Sequence, residues 1–309
     1  MTAAGSGTLQ EVTDRKRDGV FGECHGHMAL DGVDYAAAKE RHAGGADRAW
    51  VNSVLASYRD AGVTFFRDGG DAWGVSAYAK TVAADYGIDY RSPLFAIHKR
   101  GTYGGIVGRG FDTPREFAAL VAEAAAGGAD FIKIMTTGIM DFDTYGRIVY
   151  GEGLEPALVR EMVHIAHEEG FAVMAHVNGA RAVLDAVEAG VDSVEHGNYL
   201  GAECIAALAE SPCCLVPTAT VARNQIGAGR FDDTVLTRIW EQSQQTIRAA
   251  FDAGVTIALG SDAGAVGVPH PAGIADEYSC FAHVIADKQV LESRLQAGEA
   301  FIRETFQRH

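Results

Sequence analysis

The chain has 309 residues, of which 48% are hydrophobic and 22% charged, a composition that can bury the core of one large domain. Its 41 Asp and Glu against 26 Lys and Arg give a formal net charge of −15. Such an acidic surface excludes nucleic acid and anionic membrane as partners, and no apolar run reaches the ~20 residues of a membrane span.

Residues 1–19, MTAAGSGTLQEVTDRKRDG, form a polar segment without the apolar core of a signal peptide. The first predicted strand is VFGECHGHM (20–28), where His25 and His27, two residues apart, share one face. RAWVNSVLASYRDAG follows, with Val51, Val54, Leu55 and Tyr58 at helical spacing, and leads into a strand VTFFRD (63–68). YRSPLFAIH (90–98) is the third strand and ends on His98. The stretch 100–113, with glycines at 104, 105, 108 and 110, is expected to be a flexible lid. Thr113-Pro114-Arg115-Glu116 has the form of a capping box with proline at the first helical position.

The helix that starts there runs into FIKIM (131–135), a buried strand with Lys133 at its centre. An unpaired ammonium out of water costs several kcal/mol, roughly, so the lysine needs an explanation: an ion pair, a snorkelling stem, or chemistry. After a loop at 136–153 come a helix with His164 and His167 on its surface, then the strands FAVMAH (171–176), VDSVEH (191–196), CCLVPTA (213–219) and VTIALGSD (255–262), and a loop at 263–273. Glycines 62, 128, 170, 190 and 254 stand where helix C-termini favour a left-handed residue. Cys213 and Cys214 read as core. Five cysteines, an odd number with one adjacent pair, do not form a disulfide framework, so a reducing cytoplasm is expected.

Helices alternating with about eight short buried strands predict a single-domain (β/α)8 TIM barrel over residues 1–309. An open doubly wound sheet is the alternative, but GECHGHMALDG is no phosphate loop. In a barrel all strand ends meet at one rim, so His25, His27, His176, His196 and Asp262 converge there. Imidazoles with one hard oxygen donor suit a divalent metal, zinc above all. Read singly, each has a plainer role, and Asp262 could cap a following helix. His98 is either a substrate contact or structural. Tyr103, Tyr199, Arg109, Tyr145 and Arg223 are loop candidates for touching a small-molecule substrate. His42, His270, His283 and His309 carry no positional signal.

The segments ECHGH, GADFIKIM, VMAHVNG, GVDSVEHG and IALGSDAG, in this order from residue 23 to 264, resemble the amidohydrolase superfamily of metal-dependent hydrolases. VTFFRDGG, FIKIMTTG and DSVEHG are similar to its prolidase-like and imidazolonepropionase-related branch. The resemblance implies one ion on His25, His27 and Asp262, a second on His176 and His196, and Lys133 bridging them as a CO₂-derived carbamate. It implies further that a hydroxide between the ions attacks an amide or peptide-like C–N bond, of dipeptide or N-acyl amino acid type, while Asp262 shuttles the proton. Glu23 stands where this family usually has Asp. Only about two dozen residues precede His25, so the small β-sandwich that this branch builds from both termini is not expected. Alternatives on the same core are a lactonase or esterase, and a mononuclear deaminase. From other classes come a Schiff-base aldolase acting through Lys133 and a non-catalytic barrel. A homo-oligomer is compatible with all of these.

Overall fold

The computed structural model describes residues 21–308; the polar segment 1–19, Val20 and His309 lie outside them. The strands are β1 (Glu23–Gly26), β2 (Phe65–Asp68), β3 (Asp89–Arg91), β4 (Ala96–Lys99), β5 (Gly108–Phe111), β6 (Ile132–Met135), β7 (Ile139–Met140), β8 (Ile148–Val149), β9 (Val173–Val177), β10 (Ser193–His196), β11 (Cys214–Val216) and β12 (Thr256–Ile257). Parallel pairing joins β1-β2-β3 and, separately, β12-β11-β10-β9-β6-β4-β5.

Backbone hydrogen bonds outside these strands carry the two seams. On one side Cys24 N–H donates to Leu259 O at 3.0 Å, and Asp262 N–H to His25 O at 2.7 Å. On the other, Asp71 N–H donates to Leu94 O at 3.3 Å and Asp130 N–H to Ser92 O at 2.9 Å. With β3 and β4 as the halves of one strand, β1, β2, β3–β4, β6, β9, β10, β11 and β12 make the (β/α)8 barrel. The third strand is thus not continuous as expected. Pro93 lacks an N–H, Leu94 takes φ 66°, and pairing passes from β2 below the break to β6 above it.

The rim segments are also more ordered than the glycines suggested. Residues 108–111 are not loose: as β5 they pair in parallel with β4, Ala96 opposite Gly108. A side chain at Gly108 would meet Ala96 O at 1.8 Å, so here glycine permits close approach rather than motion. Residues 136–153 contain the antiparallel pair β7–β8. No helix starts directly after Asp262; the next begins at Gly273, so a capping role has no helix to serve.

Other local signals match the chain's conformation. Thr113 Oγ1 accepts from Glu116 N–H, while the Glu116 carboxylate takes Asp112 N–H rather than that of Thr113. The five glycines expected at helix ends all have positive φ. Val51, Val54, Leu55 and Tyr58 are buried against the outside of the barrel. Cys213 and Cys214 are buried, and all five cysteines are free.

In β6, Ile132 and Ile134 face that outer core, while Phe131 belongs to a cluster inside the barrel. The inner cluster also holds Cys24, Phe65, Met174, Cys214 and Val216, closed by Ile302 of the helix Lys288–Thr305 and by Phe306 beyond its end. Phe306 meets Phe131 edge-on, ring centroids 5.3 Å apart. Burying such side chains contributes about 1.5–3 kcal/mol each. The helix therefore stoppers one end of the barrel and leaves the other to the polar strand ends. No helix among the described residues is long and apolar enough to cross a membrane.

Candidate metal centre

His25 lies in β1 and His27 one residue beyond it, their ring centroids 5.5 Å apart. Asp262, carried past β12, places Oδ1 at 3.3 Å from His27 Nε2 and 3.7 Å from His25 Nε2. One donor atom from each of the three lies within 4.8 Å of the others. Crowding is relieved by glycine: a Cβ at Gly69 would lie 2.2 Å from His27 Cε1.

His196 sits between the two halves of the site, its ring 5.0 Å from that of His25 and 4.6 Å from that of His176. Each of these histidines is oriented by a partner on one nitrogen. His176 Nε2 donates to Gly138 O at 2.9 Å, and His196 Nδ1 lies 2.7 Å from Thr218 Oγ1. His176 is thereby left with Nδ1 and His196 with Nε2. His196, Thr218 and Asp262 have φ of 70°, 48° and 61°, left-handed values that cost on the order of 1–3 kcal/mol each and gather at functional sites.

Four buried polar atoms here have no hydrogen-bond partner: His25 Nε2, His27 Nδ1, Lys133 Nζ and Asp262 Oδ1. Buried polar groups left unpaired are costly, and the two imidazole nitrogens and the carboxylate oxygen fit a cation that supplies the missing contacts, whereas the Lys133 amine does so only in a form without the positive charge. The charge states agree. Burial, with the Lys133 charge, lowers His25 to about 4 and His176 to about 3, so both imidazoles are neutral near pH 7. Burial would raise Asp262, but His27, with Nε2 at 3.3 Å, and the other nearby imidazoles outweigh it and hold the carboxyl well below its usual range. Lys133, 1% exposed, is lowered to about 8 by burial and, less, by the Arg67 charge.

All six residues line one cavity of about 460 Å³. Beyond them its wall is mostly apolar, with Leu30, Tyr103, Met135, Met140, Phe142 and Phe231, and Arg230 also lines it. Of the expected substrate contacts, Tyr103 lies on this wall, its ring 5.2 Å from that of His176. His98 does not line the cavity; its Nδ1 is 3.0 Å from Lys99 O. Tyr199 borders a small adjoining pocket beside His196 and packs on Tyr145. Arg109 is turned outward to Glu123, and Arg223 is exposed.

Two residues to which the sequence assigned no role stand behind His25. Glu195 Oε2 is 2.6 Å from His25 Nδ1, and Arg67 Nη2 donates to both Glu195 oxygens at 2.9 and 3.0 Å. All three side chains are fully buried. Their signal was present in VTFFRD and DSVEHG, each with one inward charge in a buried strand. Glu23 is a brace too: it accepts Ser261 N–H at 2.7 Å and His25 N–H at 3.2 Å, tying β1 to the segment that carries Asp262.

A profile of the amidohydrolase family matches residues 52–286. The chain belongs to the amidohydrolase family. The matched span begins after His25 and His27, which this geometry adds to it. A stretch of 133 residues is 31% identical to an uncharacterised protein of Mycobacterium tuberculosis, covering 41% of this chain and 35% of that one. Another, of 141 residues, is 30% identical to the ochratoxinase of Aspergillus niger, covering 44% and 29%. The match thus spans about a third of the length of these curated relatives. Among solved structures, a Xaa-Pro dipeptidase with bound methionine superposes with a TM-score of 0.68 at 22% identity, over 91% of this chain and 74% of that one. A prolidase complexed with N-methylphosphonate-L-proline gives 0.72 at 21%, over 92% and 74%. These likenesses establish the shared fold.

Proposed function

We propose that the chain is a metal-dependent hydrolase that cleaves an amide or peptide-like C–N bond of a small, largely apolar molecule, with two divalent ions. The observation that carries this reading is the convergence of four unpartnered buried polar atoms with two further histidines on one cavity. His25, His27 and Asp262 would hold one ion, His176 and His196 the second, and Lys133 would bridge them as a carbamate formed from its neutral amine and CO₂ with release of one proton. Zinc suits the imidazole-rich donor set. When bound, the two ions lower the pKa of water toward ~7 and polarise the scissile carbonyl.

The remaining work falls to the chain's own residues. Asp262, anionic at neutral pH, accepts the proton of the attacking water at its carboxylate and returns it to the departing amine. The apolar wall from Met140 to Phe231 seats the substrate body and keeps bulk water out. Arg230 also lines the cavity, which carries Asp31, Asp34 and Asp141 as well, and its guanidinium is suited to a substrate carboxylate. The ochratoxinase and dipeptidase relatives are consistent with amide substrates.

The test is metal analysis beside hydrolysis of N-acyl amino acids, dipeptides and lactones by zinc-loaded protein. Two zinc ions per chain and turnover of the amides are expected. One tightly held ion, with His176 and His196 dispensable for it, would overturn the binuclear reading, and lactone turnover alone would overturn the amide.

A further inference from the structure

Arg67 rises from β2 into the barrel interior and uses all three guanidinium nitrogens. Nε donates to Cys24 O at 2.6 Å, Nη1 to Ser193 Oγ at 2.9 Å, and Nη2 to Glu195. Phe306 lies beneath it, 4.4 Å from the guanidinium carbon to the ring centre. Glu195 Oε1 accepts from Arg67 and from Ser193 Oγ, and Oε2 from Arg67 and from His25 Nδ1. Every side-chain nitrogen and oxygen of this buried network has a hydrogen-bond partner except its last atom, His25 Nε2. A purely structural ion pair would have no reason to end on an open imidazole nitrogen.

We propose that Arg67 and Glu195 are positioning residues: together they hold His25 in the tautomer that donates from Nδ1 and presents Nε2 to the ion shared with His27 and Asp262. The inference rests on the binuclear reading of the site. Arginine can only donate, so Glu195 keeps both oxygens as acceptors, and His25 must bring the proton to Nδ1. The second ion is insulated from this arrangement, because Gly138 O and Thr218 Oγ1 orient its two histidines instead.

Glu195→Gln discriminates sharply. Its single oxygen is claimed by the donors of Arg67, which turns the amide NH₂ toward His25 Nδ1 and drives the proton to Nε2. Zinc affinity at one of the two sites should then fall 10- to 100-fold, roughly the effect of losing an orienting partner, with the other unchanged. Adding Arg67→Met frees the glutamine oxygen for His25 Nδ1–H, so the double variant should recover about tenfold of the lost affinity. Chelator competition reads both constants without any assay of turnover. Equal weakening of both ions, no weakening, or a double variant worse than Glu195→Gln would overturn the proposal.

Zinc-loaded wild-type protein with ¹⁵N-labelled histidine rings gives a second readout that needs neither variant to fold. His25 should show a protonated Nδ1 and a metal-shifted Nε2; the reverse would sink the idea. Wild-type protein that holds a single zinc would instead refute the binuclear reading, and the His25 spectrum would still report its tautomer.

Discussion

Lys133 stands on the inward face of β6, with Phe131 below it in the apolar barrel floor and Met135 above it at the cavity. A stem of four methylenes spans that height, which no aspartate or glutamate could do from the same position. On the proposed binuclear reading, Lys133→Ala should lose one of two ions and most activity, and millimolar acetate or propionate should partly restore both by standing in for the proposed carbamate. Full zinc content without added acid would remove the bridging role. Asp262→Asn keeps an oxygen donor but cannot take a proton, so kcat should fall by roughly 10²–10⁴ in steady-state assays. Both residues were legible in the sequence, because a charge inside an apolar run and an acid at a strand end stand out locally. Arg67 and Glu195 went unread, although each is a charge in a buried strand, because their partnership joins positions 128 residues apart across the barrel. The left-handed φ of His196, Thr218 and Asp262 had no signal at all, since none of these types announces that conformation.

At the scale of elements, the alternation of helix and strand was readable because five of the short apolar strands follow a helix that stops on glycine. What escaped was pairing decided by neighbours. The third strand breaks where Pro93 removes a donor, and β5 forms only because Gly108 lets two backbones meet over Ala96 O. Gly108→Ala should then cost about 1–3 kcal/mol of stability, as overpacking usually does, visible as a lower denaturant midpoint. An unchanged midpoint would mean that β5 can lift away from β4. The β7–β8 pair raises a different expectation. Met140 and Val149 of this pair line the cavity, whereas residues 143–147 between its strands do not. Replacing 141–147 by an Asn-Gly turn should leave zinc content intact, and it also removes Phe142, which stacks on Phe231 at 5.0 Å. KM for bulky amides should rise as that wall is lost; loss of zinc would instead place the hairpin in the scaffold.

For the whole molecule, the helix Lys288–Thr305 decides how the barrel is stoppered. Phe306→Ala removes a ring that touches both Phe131 and Arg67, and should cost ~3–5 kcal/mol, the usual range for a buried aromatic truncation. Calorimetry would show it as a lowered Tm, and a change under ~1 kcal/mol would mean that Ile302 alone seals the floor. The same geometry bears on how the chain is born. Glu23 grips Ser261 across 238 residues of sequence, and Gly22 reaches Glu299 across 277. While the ribosome is still making the middle of the chain, β1 has a partner on one edge only and the inner apolar cluster has no floor. The fold cannot accumulate from the N-terminus onward; its first strand waits for segments synthesised more than 200 residues later, and contacts so distant in sequence slow folding. A nascent chain halted near residue 250 would hold seven of the eight barrel strands and every site residue but Asp262, yet present an open sheet edge to whatever chaperone or protease meets it first.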